Sequence, residues 1–292
     1  RKPGQSKYVT QRKESDKVEI LSGVFEGKTT GTPIGLLVRN TDQKSKDYEN
    51  IKDKFRPGHA DFTYQQKYGI RDFRGGGRAS ARETVMRVAG GAIAKKVLEK
   101  KGVIVRAGVM QIGDVVAESF NFSDVGENDF NFLDKSKVKP LENFFKELIK
   151  DQDSIGAKIL VNINGMESGI GSPVFSKLDA ELAKALMSVN AVKAIEVGTG
   201  VDSVVMRGSE NRDIISVGGF ETNNSGGILG GISNGDDINI FTSLKPTSSI
   251  SQKTTTTNID NQKVDLEVKG RHDPCVGLRA VPILEAMAAL TI

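Results

Sequence analysis

The sequence predicts a mixed α and β fold. Amphipathic stretches with helix-start signals alternate with short β-prone runs cut off by Gly, Pro, Asn or Asp, and no apolar run reaches the length of a membrane span. The first stretch, Arg1 to Arg12, is polar and basic, and Pro3 and Gly4 break regular structure there, so it reads as a loop or an arm. Val18–Leu21, Ile34–Val38, Val103–Val109 and Lys158–Ile163 read as strands. Ser80 followed by Glu83 is a capping-box pattern, and Val85, Val88, Ala89, Ala92, Ile93 and Val97 continue at helical spacing, which predicts a helix over Ala81–Lys101. Behind Pro140, a good first-turn residue, Leu141, Phe144, Phe145, Leu148 and Ile149 form a second amphipathic stripe. Ser176 is placed to cap a third helix carrying Leu178, Leu182, Ala185 and Leu186, and Pro282 to open a fourth through Leu284, Met287 and Leu290. Glu118 to Lys139, rich in Asn, Asp and Phe without a clear period, reads as an excursion between two halves; Gln252–Gln262, with four consecutive threonines, reads as a mobile hairpin or loop.

At 292 residues the chain makes one large or two intimately packed domains. Its 41 Lys and Arg against 37 Asp and Glu leave a formal charge of +4, a mild bias towards anionic partners. With no Trp, 13 Phe and 4 Tyr, it is poorly supplied with the stacking platforms that single-stranded nucleic-acid binders use, so neither nucleic acid nor membrane is an expected partner. A single cysteine, Cys275, rules out an intrachain disulfide and a cysteine metal cage, and two histidines add no zinc-ligand spacing. No charged-then-apolar leader opens the chain, and a reducing, cytoplasmic location is the expectation.

Chemistry-bearing residues gather in five places. Lys67 to Arg87 surrounds Gly75-Gly76-Gly77 with cations ahead of a capped helix start, which suits either an anion site or a solvated helix face. His59 lies in a turn with Asp61 two residues on; histidine titrates near neutrality, so it is a candidate proton carrier as well as an ordinary surface-turn residue. His272 stands in Gly270-Arg271-His272-Asp273-Pro274-Cys275, base, acid and guanidinium adjacent. The glycine group from Gly226 to Gly235 matches neither a P-loop nor a dinucleotide fingerprint. Lys245-Pro246-Thr247-Ser248-Ser249 offers one ammonium and three hydroxyls on a stiffened turn, enough to grip a phosphate.

Taken in order, RPGHAD at 56–61, KYGIRDFRGGGRASARET at 67–84, GGILGGISNG at 226–235, KPTSSI at 245–250 and GRHDPCVGLRAVPILEAM at 270–287 resemble the chorismate synthase family, and the likeness covers nearly the whole chain. The resemblance implies an α+β fold in the form of a β-α-β sandwich. Two mixed halves over residues 1–292 meet near 118–150 with helices packed centrally between antiparallel sheets, normally as a homotetramer. It implies an FMN-dependent lyase of the shikimate pathway that converts 5-enolpyruvylshikimate 3-phosphate to chorismate and phosphate by anti 1,4-elimination, without net redox change; a catalytically inactive flavin- or phosphate-binding relative is the alternative. By the same likeness Arg78, Ala79, Ser80, Asn190, Ala191, Gly230, Lys245, Pro246, Thr247, Ser248, Ser249 and Arg271 fall at positions that bind reduced FMN. Arg1 and Lys7 fall where basic residues meet substrate or NADP, NADPH being an indirect reductant. His59 resembles the histidine that handles the flavin's proton and Asp273 the aspartate that assists substrate deprotonation; no metal is implied. The family's second histidine, in a GESHG motif, has no counterpart here, and family members extend beyond both ends, so the sequence is expected to be a piece of a longer polypeptide.

Overall fold

The computed structural model describes residues 3–42, 45–74, 77–268 and 272–292. Its centre is a five-stranded antiparallel sheet in the spatial order Val115–Val116, Ile104–Ile112, Ala157–Asn164, Ile238–Leu244, Val192–Val197. The period-2 pattern of the long strands explains why one face is dry. Ala107, Val161, Ile240 and Val197 stand opposite one another in a single row across four strands, and Val109, Ile159, Ile163 and Ile238 on the same face are fully buried.

Among the described residues six α-helices are formed: α1 Asp61–Tyr68, α2 Thr84–Glu99, α3 Val138–Lys150, α4 Leu178–Met187, the single turn α5 Gly208–Asn211, and α6 Gly277–Thr291. Helix α6 lies on the dry face and presents Leu278, Val281, Leu284 and Ala288 to it. Helix α2 crosses α6 at small residues: a Cβ added at Gly91 would stand 2.3 Å from that of Ala286, so only glycine lets the two backbones approach this closely. On its other side α2 meets the ribbon of Val18–Ile20 and Leu36–Val38, so helix is layered between antiparallel strands, as the α+β expectation requires.

Several local expectations shift by a few residues for identifiable reasons. Ser80 does accept from the Arg82 amide, at 3.2 Å, but caps a 3₁₀ turn, Ala81–Glu83, that leads into α2, and the Glu83 carboxylate pairs with Arg87 instead of reaching back. Ser176 does not cap α4; its backbone exchanges hydrogen bonds with Ser172, and the helix begins at Leu178. Pro282 does not open α6 but sits inside it. A proline there cannot donate to the Leu278 carbonyl one turn back, and the Asn131 side chain supplies the missing donor at 2.8 Å. Asn131 belongs to the 118–139 excursion, which is part of the core: Phe130, Phe132 and Leu133 are fully buried, Tyr8 stacks on Phe130 at 4.7 Å between ring centres, and Phe132 bridges to Val109 at the sheet.

The threonine run forms one strand of a hairpin, Thr254–Thr257 with Lys263–Leu266, whose turn is closed by the Asn258 side chain accepting from the amides of Asp260 and Gln262. Thr257 and Thr256 in turn bond to the backbone of Phe55, fixing the chain as it enters the Arg56–Asp61 turn.

Candidate active site

Four chain-distant stretches, with the N-terminal loop and the turn at 79–84, close on one cavity of about 500 Å³. The first is the turn at 56–61. Gly58 takes a φ of 69°, a left-handed conformation that an ordinary side chain would strain, and the reversal brings Asp61 back over Arg56. The Asp61 carboxylate then accepts from the Arg56 Nε at 2.7 Å, from its Nη2 at 2.9 Å and from its amide at 3.2 Å, while Arg71 Nη1 stands 3.2 Å away and His59 Nδ1 3.0 Å away. Arg56 and Asp61 are both buried. Burial by itself would raise the pKa of this carboxyl, but the hydrogen bonds from Arg56 and His59 and the charge of the Arg56 guanidinium overcome it, and Asp61 is held well below the usual carboxylate range.

The second stretch is the 245–249 turn. Lys245 Nζ donates to the Gly58 carbonyl and to Ser248 Oγ, Ser248 Oγ donates to the same carbonyl at 2.7 Å, and Arg56 Nη1 reaches Ser249 Oγ at 3.2 Å. Burial, and then the nearby charge of Lys193, lower the Lys245 ammonium's pKa, so two cations crowd a place where an anion would relieve both. The third stretch is the turn between α4 and the edge strand, where Ala191, itself left-handed at a φ of 71°, accepts from the Lys245 amide at 2.9 Å. The fourth is the turn before α6. Thr247 Oγ1 donates to the Asp273 carbonyl at 2.6 Å, and the Asp273 carboxylate accepts from the Thr10 amide at 2.7 Å and from Arg279 Nη1 at 3.1 Å, so one side chain ties the N-terminal loop to the last helix.

Of the residues singled out in the sequence, His59, Ala79, Ser80, Asn190, Ala191, Lys245, Pro246, Thr247, Ser248, Ser249 and Asp273 all line this cavity. Gly230 sits on the tight turn between Ile228–Leu229 and Ile232–Ser233, and Lys7 stacks over the Tyr8 ring at 4.9 Å; neither lines it. Arg1 and Arg271, with the side chain of Arg78, lie outside the described residues.

The structure gives roles to residues the motifs contained without assigning, Arg56, Arg82 and Arg279, and adds Arg12 and Lys193 from outside the motifs. Arg12, Arg56, Arg82, Lys193 and Arg279 join Lys245 in the lining, against the carboxylates of Glu14 and Asp273. His272, which adjacency in sequence alone could not place, also faces the cavity. Burial first, and then the charge of Arg56, push its pKa down to about 4, so it is a neutral imidazole at pH 7. Its Nε2 and the Oδ1 of Asn190 are buried without a hydrogen-bond partner among the described residues. A volume within the usual range for small-molecule sites and a cationic excess suit an anionic ligand, and the unspent Asn190 Oδ1 asks that ligand for a hydrogen-bond donor.

No helix among the described residues is long and apolar enough to cross a membrane, and among them no group of three or more His, Cys, Asp or Glu is placed to hold a metal ion. Residues 1–292 match the family described as chorismate synthase. A solved structure described as "Crystal Structure of Chorismate Synthase" superimposes with a TM-score of 0.73 at 27% sequence identity, covering 94% of this chain and 76% of that one.

Proposed function

Starting from the fact that this chain belongs to the chorismate synthase family, matched along its whole length, we propose that the cavity between the His59 and Asp273 turns is where 5-enolpyruvylshikimate 3-phosphate loses phosphate in an anti 1,4-elimination. That the protein is a lyase with chorismate synthase activity follows from family and fold together. What supports placing the chemistry here is one observation: a rim of cations meets buried, unpartnered polar atoms in the cavity that the His59 and Asp273 turns both line. The substrate brings a phosphate and two carboxylates, and a rim carrying Arg12, Arg56, Arg82, Lys193, Lys245 and Arg279 would neutralise that load.

Reduced FMN, when bound, supplies an electron-rich ring that eases phosphate departure while the overall reaction stays redox-neutral. Ala79, Ser80, Asn190, Ala191 and Lys245 through Ser249 would hold it, Asn190 Oδ1 being an acceptor left unspent by the protein; Arg78, Gly230 and Arg271 are assigned to it by resemblance alone. NADPH is proposed as an indirect source of reducing equivalents, with Arg1 and Lys7 on the anionic ligand. His59 lines the cavity with its Nδ1 turned to Arg56 and Asp61, so the opposite ring nitrogen, Nε2, is the one left to hold or move a proton. Asp273, fixed at both oxygens, assists substrate deprotonation as an oriented charge. A homotetramer in the cytoplasm completes the proposal. In its support, Phe175, Val204, Val205 and Val217 stand almost wholly in solvent, an apolar surface that a second copy would cover.

The test is an anaerobic assay with reduced FMN and substrate, following chorismate absorbance. Product forms with the wild-type protein and falls by ~10²–10⁴ in His59→Ala with FMN affinity retained. Calorimetry should show weakened FMN binding in Lys245→Ala. Wild-type turnover in His59→Ala together with unchanged flavin affinity in Lys245→Ala would move the reaction out of this cavity.

A further inference from the structure

His59 Nδ1 has two close neighbours of opposite character. Asp61 Oδ1, an acceptor, lies at 3.0 Å, and Arg56 Nη2, a donor, lies at 3.1 Å. Both are fixed. Arg56 is clamped on Asp61 through Nε and Nη2 and on Ser249 through Nη1. Asp61, the first residue of α1, is braced from behind by Arg71, whose Nη2 is itself held by the carbonyls of Ile51, Lys52 and Lys54. A terminal guanidinium nitrogen carries two N–H groups, so Arg56 Nη2 serves Asp61 with one and keeps one for the histidine. Asp61 stays an anion throughout, because burial is outweighed by its cationic partners. Among the described residues His272, which is neutral, and Lys245, which is tied to the Gly58 carbonyl, are the other titratable groups beside His59.

Either form of the neutral ring is therefore satisfied. With Nδ1 bare, it accepts from Arg56 and the ring proton sits on Nε2, which then donates into the cavity. With Nδ1 protonated, it donates to Asp61 and Nε2 offers a lone pair. We propose that Arg56 and Asp61 are positioning residues that form a two-way tautomer switch, letting His59 present Nε2 to the cavity as donor or as acceptor without losing its hydrogen bond at Nδ1. From the acceptor form, Nε2 takes one proton from a cavity group, and the resulting imidazolium keeps its Nδ1–H on Asp61. Returning that proton from Nε2 restores the starting ring, so proton and charge balance at each step. This deepens the reading of His59 as the proton-handling group and rests on it for its catalytic meaning only.

The test uses the whole protein with ¹⁵N-labelled histidine, where just two residues contribute signals and His272→Asn identifies which is which. On the high-pH plateau of the shifts, where the ring carries a single proton, the wild-type Nδ1 and Nε2 shifts of His59 should lie between the protonated and bare extremes, as fast exchange averages the two tautomers. Asp61→Asn weakens the acceptor and should raise the ratio of the Nε2–H to the Nδ1–H form by about tenfold, the equivalent of one charge-assisted hydrogen bond. Arg56→Met removes the donor and should move both shifts the opposite way. Either variant could fail to fold, since both side chains are buried, but the wild-type spectrum decides alone: shifts of one fixed tautomer overturn the switch. A lower kcat for chorismate formation with little change in KM in Asp61→Asn supports its role in turnover. If the shifts move and turnover does not, the switch stands and the catalytic reading of His59 is what fails.

Discussion

His272 carries the clearest pH signature of any single residue. Folded, it takes up a proton only near pH 4, whereas in the unfolded chain it does so near its ordinary value of 6.5. Between those values the unfolded state binds the extra proton, so stability that is intact above about pH 6.5 is lost as the pH falls towards 4, at about 1.4 kcal/mol per unit. Urea unfolding should show this slope in the wild type and a shallower one in His272→Asn; equal slopes would mean the imidazole is solvated. Asp273 makes a different case. Because its two oxygens accept from Thr10 and Arg279, Asp273→Asn sets an NH2 donor against either the guanidinium or the backbone amide. The expected result is a lower Tm as well as a slower single-turnover rate in FMN-saturated protein, and a Tm equal to wild type would show that the tie carries no stability. Cys275, fully buried, has its thiol pushed up to about 12 by burial and should ignore thiol reagents in the native protein; rapid labelling without denaturant would contradict the packing around α6. At this scale the sequence was legible in part. His59 stood out by its chemistry, while Asp61, two residues on, passed for a neighbour, because only the left-handed turn at Gly58 decides which side chain goes inward.

Among the elements, α1 and the single turn α5 were not read, while the four helices read from periodicity are present with shifted ends. Pro282 shows why. A proline is tolerated in the first turn because no donor is needed there, and the same holds deeper in a helix when a side chain distant in sequence satisfies the orphaned carbonyl. Asn131→Asp keeps a residue that tolerates the observed left-handed backbone but withdraws the donor, and should cost about 1–3 kcal/mol in chemical denaturation. Adding Pro282→Ala supplies an N–H to Leu278 and should recover part of that loss, so strictly additive effects would count against the repair. The 118–139 excursion was opaque for a related reason. Phe130, Phe132 and Leu133 are buried by contacts with Tyr8, Val109 and helix α3, and such partners leave no periodic trace in the segment itself.

For the molecule as a whole, the order of strands in the sheet was invisible in the sequence, since strand pairing depends on residues far apart, whereas the site could be gathered from motifs that resemble one family in the right order. The proposed tetramer predicts that light scattering reports about four times the 31.5 kDa chain mass, and that Val204→Glu with Val205→Glu lowers it. An unchanged mass in that double variant would place the interface elsewhere. The tie between Thr10 and Asp273 has a consequence in time as well as in space. It joins residues 263 apart, so the cavity is sealed by one of the longest loop closures in the chain, and closures of that span come late. Until residues this far apart are brought together, Arg12 and Asp273 stand on separate pieces of chain, so a ligand that needs the whole rim binds only a molecule in which that closure has been made.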